Sequence, residues 1–205
     1  MAHSFKPKVS LILLAAGNSS RMNGAPKQLL VYENKTLLRR AAETALQSDF
    51  EPIVVVFSDN REIFKREIEN LPVHTAINEN AKTGISSSIK TGLSALSGKN
   101  SDAVIIMLCD QPLISIEILR KLRDVYVQTC KPIVACEYEN TFGVPVLFEQ
   151  RFFAELMNLS DDEGAKKLIA KYRGQTEFVR CAEAATDVDT LEDYQNLLRR
   201  TCANH

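Results

Sequence analysis

A three-layer, doubly wound and mostly parallel α/β sheet is the fold class this sequence predicts, on three observations. Short, near-continuous apolar runs recur along the chain, amphipathic stretches at helical spacing separate them, and a loop rich in Gly, Asn and Ser, Gly17 to Lys27, follows the first run. Apolar runs without polar alternation suit strands buried on both faces, which is the situation in a parallel sheet covered by helices.

The strand candidates are Val9 to Ala16 (VSLILLAA), Ile53 to Phe57 (IVVVF) and Ala103 to Leu108 (AVIIML). Between them, Thr36 to Gln47, Arg61 to Asn70 and Ser86 to Leu96 carry apolar residues at helical spacing, and Asn60, Ser86 and Ser115 are candidate N-caps. This alternation implies βαβ units. Beyond Lys131 the pattern changes: IVACEYENTFGVPVLF reads as a hairpin around an Asn-Thr-Phe-Gly turn, followed by helices at Glu149 to Asn158 and Gly164 to Tyr172. A chain of 205 residues with 45% hydrophobic content fits one domain, residues 1–205, and no low-complexity linker or internal repeat divides it.

Composition narrows the classes of partner. With 25 Lys and Arg against 26 Asp and Glu, the formal net charge is -1, so nucleic acid is not expected as a ligand. No stretch reaches the roughly 20 apolar residues of a membrane span, and MAHSFKPKVS lacks the apolar segment of a signal peptide, so a cytoplasmic protein is expected. The five cysteines form no CxxC pair and are odd in number, which argues against a disulfide framework and a structural zinc site. His3, His74 and His205 are too scattered to suggest a histidine metal centre or a catalytic triad.

In such a sheet, ligands bind beyond the carboxyl ends of the strands. Three stretches fall there: Gly17 to Lys27, Asn78 to Ser88, and Cys109-Asp110-Gln111-Pro112. Backbone amides in a loop rich in small residues can approach an anion closely, and Arg21 and Lys27 add positive charge. An ordinary strand-to-helix connection is the competing reading. Neither GxGxxG nor GxxxxGK[ST] is present, so a dinucleotide fold and a P-loop are unsupported. Asp110, at the end of an apolar strand, suits Mg²⁺, which needs only one or two protein carboxylates. A second carboxylate is available in Asp187-Val188-Asp189-Thr190, where Asp189 or Thr190 could equally be the N-cap of a helix from Leu191 to Arg200.

In order, LAAGNSSRMNGAPKQLL, NENAKTGISSSI, CDQP, FGVPVLF, DDEGAKKLI and DVDTLEDY resemble the MobA-like nucleotidyltransferases, and among them most the molybdenum cofactor cytidylyltransferase branch of the xanthine dehydrogenase accessory type. The resemblance implies a Rossmann-like nucleotidyltransferase fold with a small β-hairpin and helices on the acceptor side. It implies that Leu14, Ala15, Ala16 and Gly17 border the base, that Arg21 and Lys27 meet the triphosphate, and that Asn78, Gly84 and Ser88 lie by the base and ribose. Asp110 and Asp189 would bind Mg²⁺, with Asp187 nearby. LAAG with no acid before the lysine is more similar to enzymes using CTP than to those using GTP. Cys109, Val144, Asp161 and Lys166 stand where this branch more often has Gly, His, Gly and Arg.

The implied reaction is attack by an acceptor phosphate on the α-phosphorus of the nucleotide, with Arg21, Lys27 and Asp110 as the catalytic group and pyrophosphate as leaving group. The implied partners are CTP, a phosphate-bearing pterin and a molybdoenzyme client such as xanthine dehydrogenase. A cytidylyltransferase for a sugar or methylerythritol phosphate, and a non-catalytic molybdopterin carrier, are the alternatives.

Overall fold

In chain order the elements are β1 (Val9–Leu14), β2 (Val31–Tyr32), β3 (Lys35–Thr36), α1 (Leu37–Leu46), β4 (Ile53–Phe57), α2 (Arg61–Ile68), β5 (His74–Ile77), α3 (Ile85–Ala95), β6 (Ala103–Leu108), α4 (Ile116–Thr129), β7 (Ile133–Tyr138), β8 (Thr141–Glu149), α5 (Phe153–Met157), α6 (Ala165–Lys171), β9 (Thr176–Arg180) and α7 (Leu191–Cys202). They come from a computed structural model that describes residues 6–17, 22, 26–58, 61–160 and 162–202. Arg21, the candidate cap Asn60 and Asp161 therefore lie outside the described residues.

Among the described residues, seven strands form one sheet in the order β5-β4-β1-β6-β8-β7-β9, and β2 pairs with β3 in a small separate hairpin. All neighbouring pairs in the large sheet are parallel except those made by β8, which runs antiparallel to both β6 and β7. The fold is the mostly parallel, doubly wound α/β sheet that the sequence predicts.

The central strands are apolar throughout because both faces are covered. Leu11, Leu13, Val55, Ile105 and Met107 pack with Leu38, Leu119 and Leu122 on the side of α1 and α4. Ile12, Leu14, Val54, Val56 and Ile106 pack with Ile89, Leu93, Leu156 and Leu168 on the side of α3, α5 and α6. Each such side chain, fully buried, contributes roughly 1.5–3 kcal/mol. Register is fixed accordingly, since a one-residue slip would exchange the two faces. A smaller cluster of Tyr32, Leu37, Val188 and Leu197 ties the β2–β3 hairpin to α7.

Four sequence expectations change. The turn between β7 and β8 is Glu139-Asn140, both at positive φ, so Thr141, Phe142 and Gly143 belong to the strand. Two consecutive residues at positive φ make a tight two-residue hairpin turn, which matches strand twist better than a wider loop. Glu149 ends β8 instead of starting a helix, and the helix itself is the short α5. Ser86 lies inside α3, whose N-cap is Gly84 at φ 113°, a conformation that favours glycine. Strands β5 and β9 were not foreseen: they form the sheet's two edges, and their mixed polar sequences HTAI and TEFVR carry no apolar run. Ser115 does cap α4, accepting from the Ile118 amide.

Gly92 seats α3 on the sheet. A Cβ at this position would lie 2.5 Å from Cγ2 of Ile12 in the middle of β1, so the helix can approach this closely only because the side chain is missing. Gly92→Val is expected to cost about 3 kcal/mol through overpacking, read as a fall in Tm of roughly 6–12 °C. An unchanged Tm in thermal unfolding would contradict the close seating of α3.

Candidate active site

The chain leaves β1 toward β4 on one side and returns to β6 on the other, so β1 and β6 flank the point at which strand order reverses. Crevices in open α/β sheets form there, beyond the carboxyl ends of the strands. The segment after β6 closes directly on the end of β1: the Cys109 amide donates to the Leu14 carbonyl at 3.2 Å. Above them opens a cavity of about 250 Å³. Leu14, Ala16 and Leu108 form its apolar floor, Gly84, Ile85 and Ser88 at the start of α3 form one wall, and Lys27 and Asp110 form its charged end.

Lys27 opens a short 3₁₀ turn, Lys27–Leu29, that carries its side chain back under the β1 loop. Its ammonium lies 2.5 Å from Asp110 Oδ2 and 2.7 Å from Asp189 Oδ1. Burial alone would lower the pKa of this lysine, but the charges and hydrogen bonds of Asp110 and Asp189 outweigh it and hold the group above the usual lysine range. The other Asp110 oxygen, Oδ1, is buried with no hydrogen-bond donor among the described residues.

Asp189 reaches this point because the Val188 amide donates to the Asp110 carbonyl at 3.0 Å, stitching the segment before α7 to the end of β6. The N-cap of α7 is Thr190: its hydroxyl accepts from the Asp193 amide, while the Asp193 carboxylate accepts from the Thr190 amide. Asp189 is thereby left to face Lys27. Asp187 belongs to the same acidic group. Although its side chain reaches solvent, local desolvation, followed by the charges of Asp110 and Asp189, pushes its carboxyl up to about 6 against a hydrogen bond from Gln111 and the charge of Lys27.

The remaining sequence candidates divide by location. Leu14, Ala16, Gly17, Lys27, Gly84, Ser88 and Asp110 line the cavity. Ala15 faces the opposite core, on the side of α1 and α4. Asn78 stands behind Ser88: its amide nitrogen donates to the hydroxyls of Ser87 and Ser88, and its carbonyl accepts from the Asn80 amide. Two buried amides have no signature in the sequence. Gln28 donates to the carbonyls of Ala15 and Gly17, and Gln111 donates to those of Val144 and Ala184. Their partners lie 11 to 73 residues away, so no local spacing announces them.

The apparent nucleophiles are unsuited to covalent chemistry. The Ser87 hydroxyl donates to the Gly84 carbonyl and accepts from Asn78, and the Ser88 hydroxyl accepts from Asn78. Burial, and then the charge of Asp110, pushes the Cys109 thiol well above its usual range, so it stays protonated.

Comparison with known proteins places this geometry in a family. The chain is 28% identical over 204 residues to the nicotine blue oxidoreductase of Paenarthrobacter nicotinovorans, spanning 94% of this chain and 97% of that protein. It is 27% identical over 203 residues to the purine catabolism protein PucB of Bacillus subtilis, spanning 92% and 95%. One name states an oxidoreductase activity and the other a part in purine catabolism, so neither carries over by likeness alone. Among solved structures, Rv0371c from Mycobacterium tuberculosis superposes with a TM-score of 0.84 at 28% identity, covering 95% of this chain and 99% of that one. A structure of Rv0371c in complex with manganese superposes at 0.79 and 27% identity, covering 94% and 98%. Residues 11–176 match the MobA-like NTP transferase domain, and the chain belongs to that family of nucleotidyltransferases.

Proposed function

We propose that the protein is a Mg²⁺-dependent cytidylyltransferase that moves CMP from CTP to a phosphate-bearing pterin, molybdopterin, and releases pyrophosphate, in the service of a molybdoenzyme such as xanthine dehydrogenase. The observation that carries this reading is the charged end of the cavity, where two carboxylates from distant parts of the chain converge on one cation. A divalent metal fits these residues. Asp110 and Asp189 are hard oxygen donors, and Asp110 Oδ1 is buried with no donor among the described residues. Two such carboxylates are enough for Mg²⁺, an ion that keeps several waters and needs only one or two protein carboxylates. The manganese complex of Rv0371c supports a divalent site in this architecture.

In the proposed reaction, the start of α3 and the Gly17 backbone hold the nucleotide with its base against Leu14 and Ala16. The terminal phosphate of the acceptor attacks the α-phosphorus in line, and the pyrophosphate leaves without a protein-bound intermediate. Mg²⁺ held by Asp110 and Asp189 would supply neutralising charge at the α-phosphate. Lys27 and Arg21 stabilise the charge that develops on the leaving pyrophosphate. Gln28 and Gln111 keep the β1 loop and the Asp110 turn in place, so that the charges are set before substrate arrives. CTP is favoured over GTP because the Ala16 methyl takes space on the cavity floor that a purine would need.

The test is pyrophosphate release from each NTP with Mg²⁺ and molybdopterin, by the wild type and by Asp110→Asn. The variant should fold, as Lys27 keeps Asp189, yet lose at least ~10³-fold in turnover, about 4 kcal/mol of transition-state stabilisation. Turnover near the wild-type level would remove Asp110 from the metal site and favour a pterin carrier. Lys27→Ala leaves the acidic group without its ammonium, and removing one partner of a buried ion pair costs about 3 kcal/mol. In calorimetry its Tm should fall in EDTA and recover with Mn²⁺ by more than the wild type gains; equal gains would show that the metal does not occupy the same charge field. Ala16→Gly should lower the ratio of kcat/KM for CTP over GTP by about tenfold, equivalent to ~1.4 kcal/mol, and an unchanged ratio would assign base choice elsewhere.

A further inference from the structure

Beside the cavity, on the same face of the sheet, two aromatic rings carry two cations. Phe142 of β8 and Phe178 of β9 have ring centroids 5.6 Å apart. The Arg173 guanidinium lies 5.5 Å from one centroid and 5.3 Å from the other, and the Lys166 ammonium lies 5.7 Å from Phe142. Lys166 also donates to the Thr141 hydroxyl at 2.7 Å. Neither cation has a carboxylate within 4.0 Å among the described residues. Their neighbours Lys167 and Lys171 are paired, with Glu163 and Glu155. Two exposed cations held by rings, with no carboxylate in ion-pair range among the described residues, form a site that favours an anion.

This platform is continuous with the cavity. Phe142, Val144 and Phe178 share one apolar cluster with Leu14, Ala16 and Leu108 of the cavity floor. The Val144 carbonyl accepts from Gln111, the residue after Asp110. At the start of α6, a Cβ on Gly164 would lie 3.3 Å from Cγ2 of Ile85, which lines the cavity wall. Glu137 of β7 is the direct cross-strand neighbour of Phe142 and has the same parity as Ile133 and Ala135, which pack on this face.

We propose that Phe142, Phe178, Lys166 and Arg173 form the subsite for the second substrate, a planar N–H-bearing heteroaromatic ring with a phosphate tail. The ring stacks on the Arg173–phenylalanine layer, its N–H edge meets the Glu137 carboxylate, and Lys166 and Arg173 hold the phosphate. Naming this ligand the acceptor rests on the nucleotidyl-transfer reading above; the binding site itself does not.

The sequence contains no Trp, so the emission of a bound pterin can be followed directly. The probe is 6-hydroxymethylpterin phosphate, titrated by fluorescence anisotropy against the full chain with Mg²⁺ and CTP. Unphosphorylated pterin and ribose 5-phosphate serve as competitors. Arg173→Gln, and Arg173→Gln combined with Lys166→Gln, should raise the Kd for the probe at least tenfold and leave the Kd for Mg²⁺-CTP within twofold. Arg173→Lys, which keeps charge and loses the planar stack, should recover less than half of that loss on a logarithmic scale. No binding to the wild type, an unchanged Kd in the double variant, or competition by ribose 5-phosphate as strong as by the probe would each overturn the subsite. Pyrophosphate release by the wild type is measured in parallel. Its absence with the binding pattern intact sinks the transferase reading alone, and its presence without that pattern sinks the subsite alone.

Discussion

The Lys27 ammonium joins stretches of chain 83 and 162 residues apart, by contacts to Asp110 and Asp189. Much of the local architecture serves this contact. The 3₁₀ turn brings the lysine under the β1 loop, β6 delivers Asp110 from a rigid strand, and the Val188–Asp110 hydrogen bond holds the segment before α7 in reach. Desolvation first, and then the charges of Asp110 and Asp189, raise the pKa of Asp187, so the three carboxylates depend on nearby positive charge. The contact therefore fixes where a cation belongs in this fold.

Neutral groups maintain that arrangement. Gln28 and Gln111 are buried amides that bind backbone carbonyls on either side of the charged centre, and each leaves its own Oε1 without a donor among the described residues. Neutral ties of this sort hold loops without adding charge that would compete for an anion. The close seating of α3 through Gly92 has a similar role at longer range, because the helix that packs against Ile12 also supplies the Gly84–Ser88 wall.

What could be read in the sequence follows from which forces act locally. The three long apolar runs became β1, β4 and β6, since strands buried on both faces cannot hide their composition. The edges β5 and β9 were missed because a half-exposed edge needs no such run, and the β7–β8 turn was misplaced because Asn-Thr-Phe-Gly is a stronger turn signal than the Glu-Asn pair used. Asp110 was legible as a carboxylate at a strand end and Lys27 as a cation closing the loop after β1, whereas their contact was not: a link across 83 residues leaves no periodic trace. Asn78 shows the opposite limit, a motif residue whose polar atoms all serve the fold behind the cavity.

The reversed direction of β8 has a consequence for how the two halves of the sheet are spaced. The strands that border the cavity and the strands that carry Phe142 and Phe178 meet along one ladder, β6 against β8, with Ala103 opposite Glu149 and Ile106 opposite Val146. That ladder acts as a ruler. Sliding it by two residues would preserve every inward and outward side chain yet move Phe142 by roughly 6–7 Å relative to Asp110, a displacement that burial alone would barely resist. The hydrogen bond from Gln111, just beyond β6, to the Val144 carbonyl of β8 opposes such a slip, so a single amide pins the distance between the two halves.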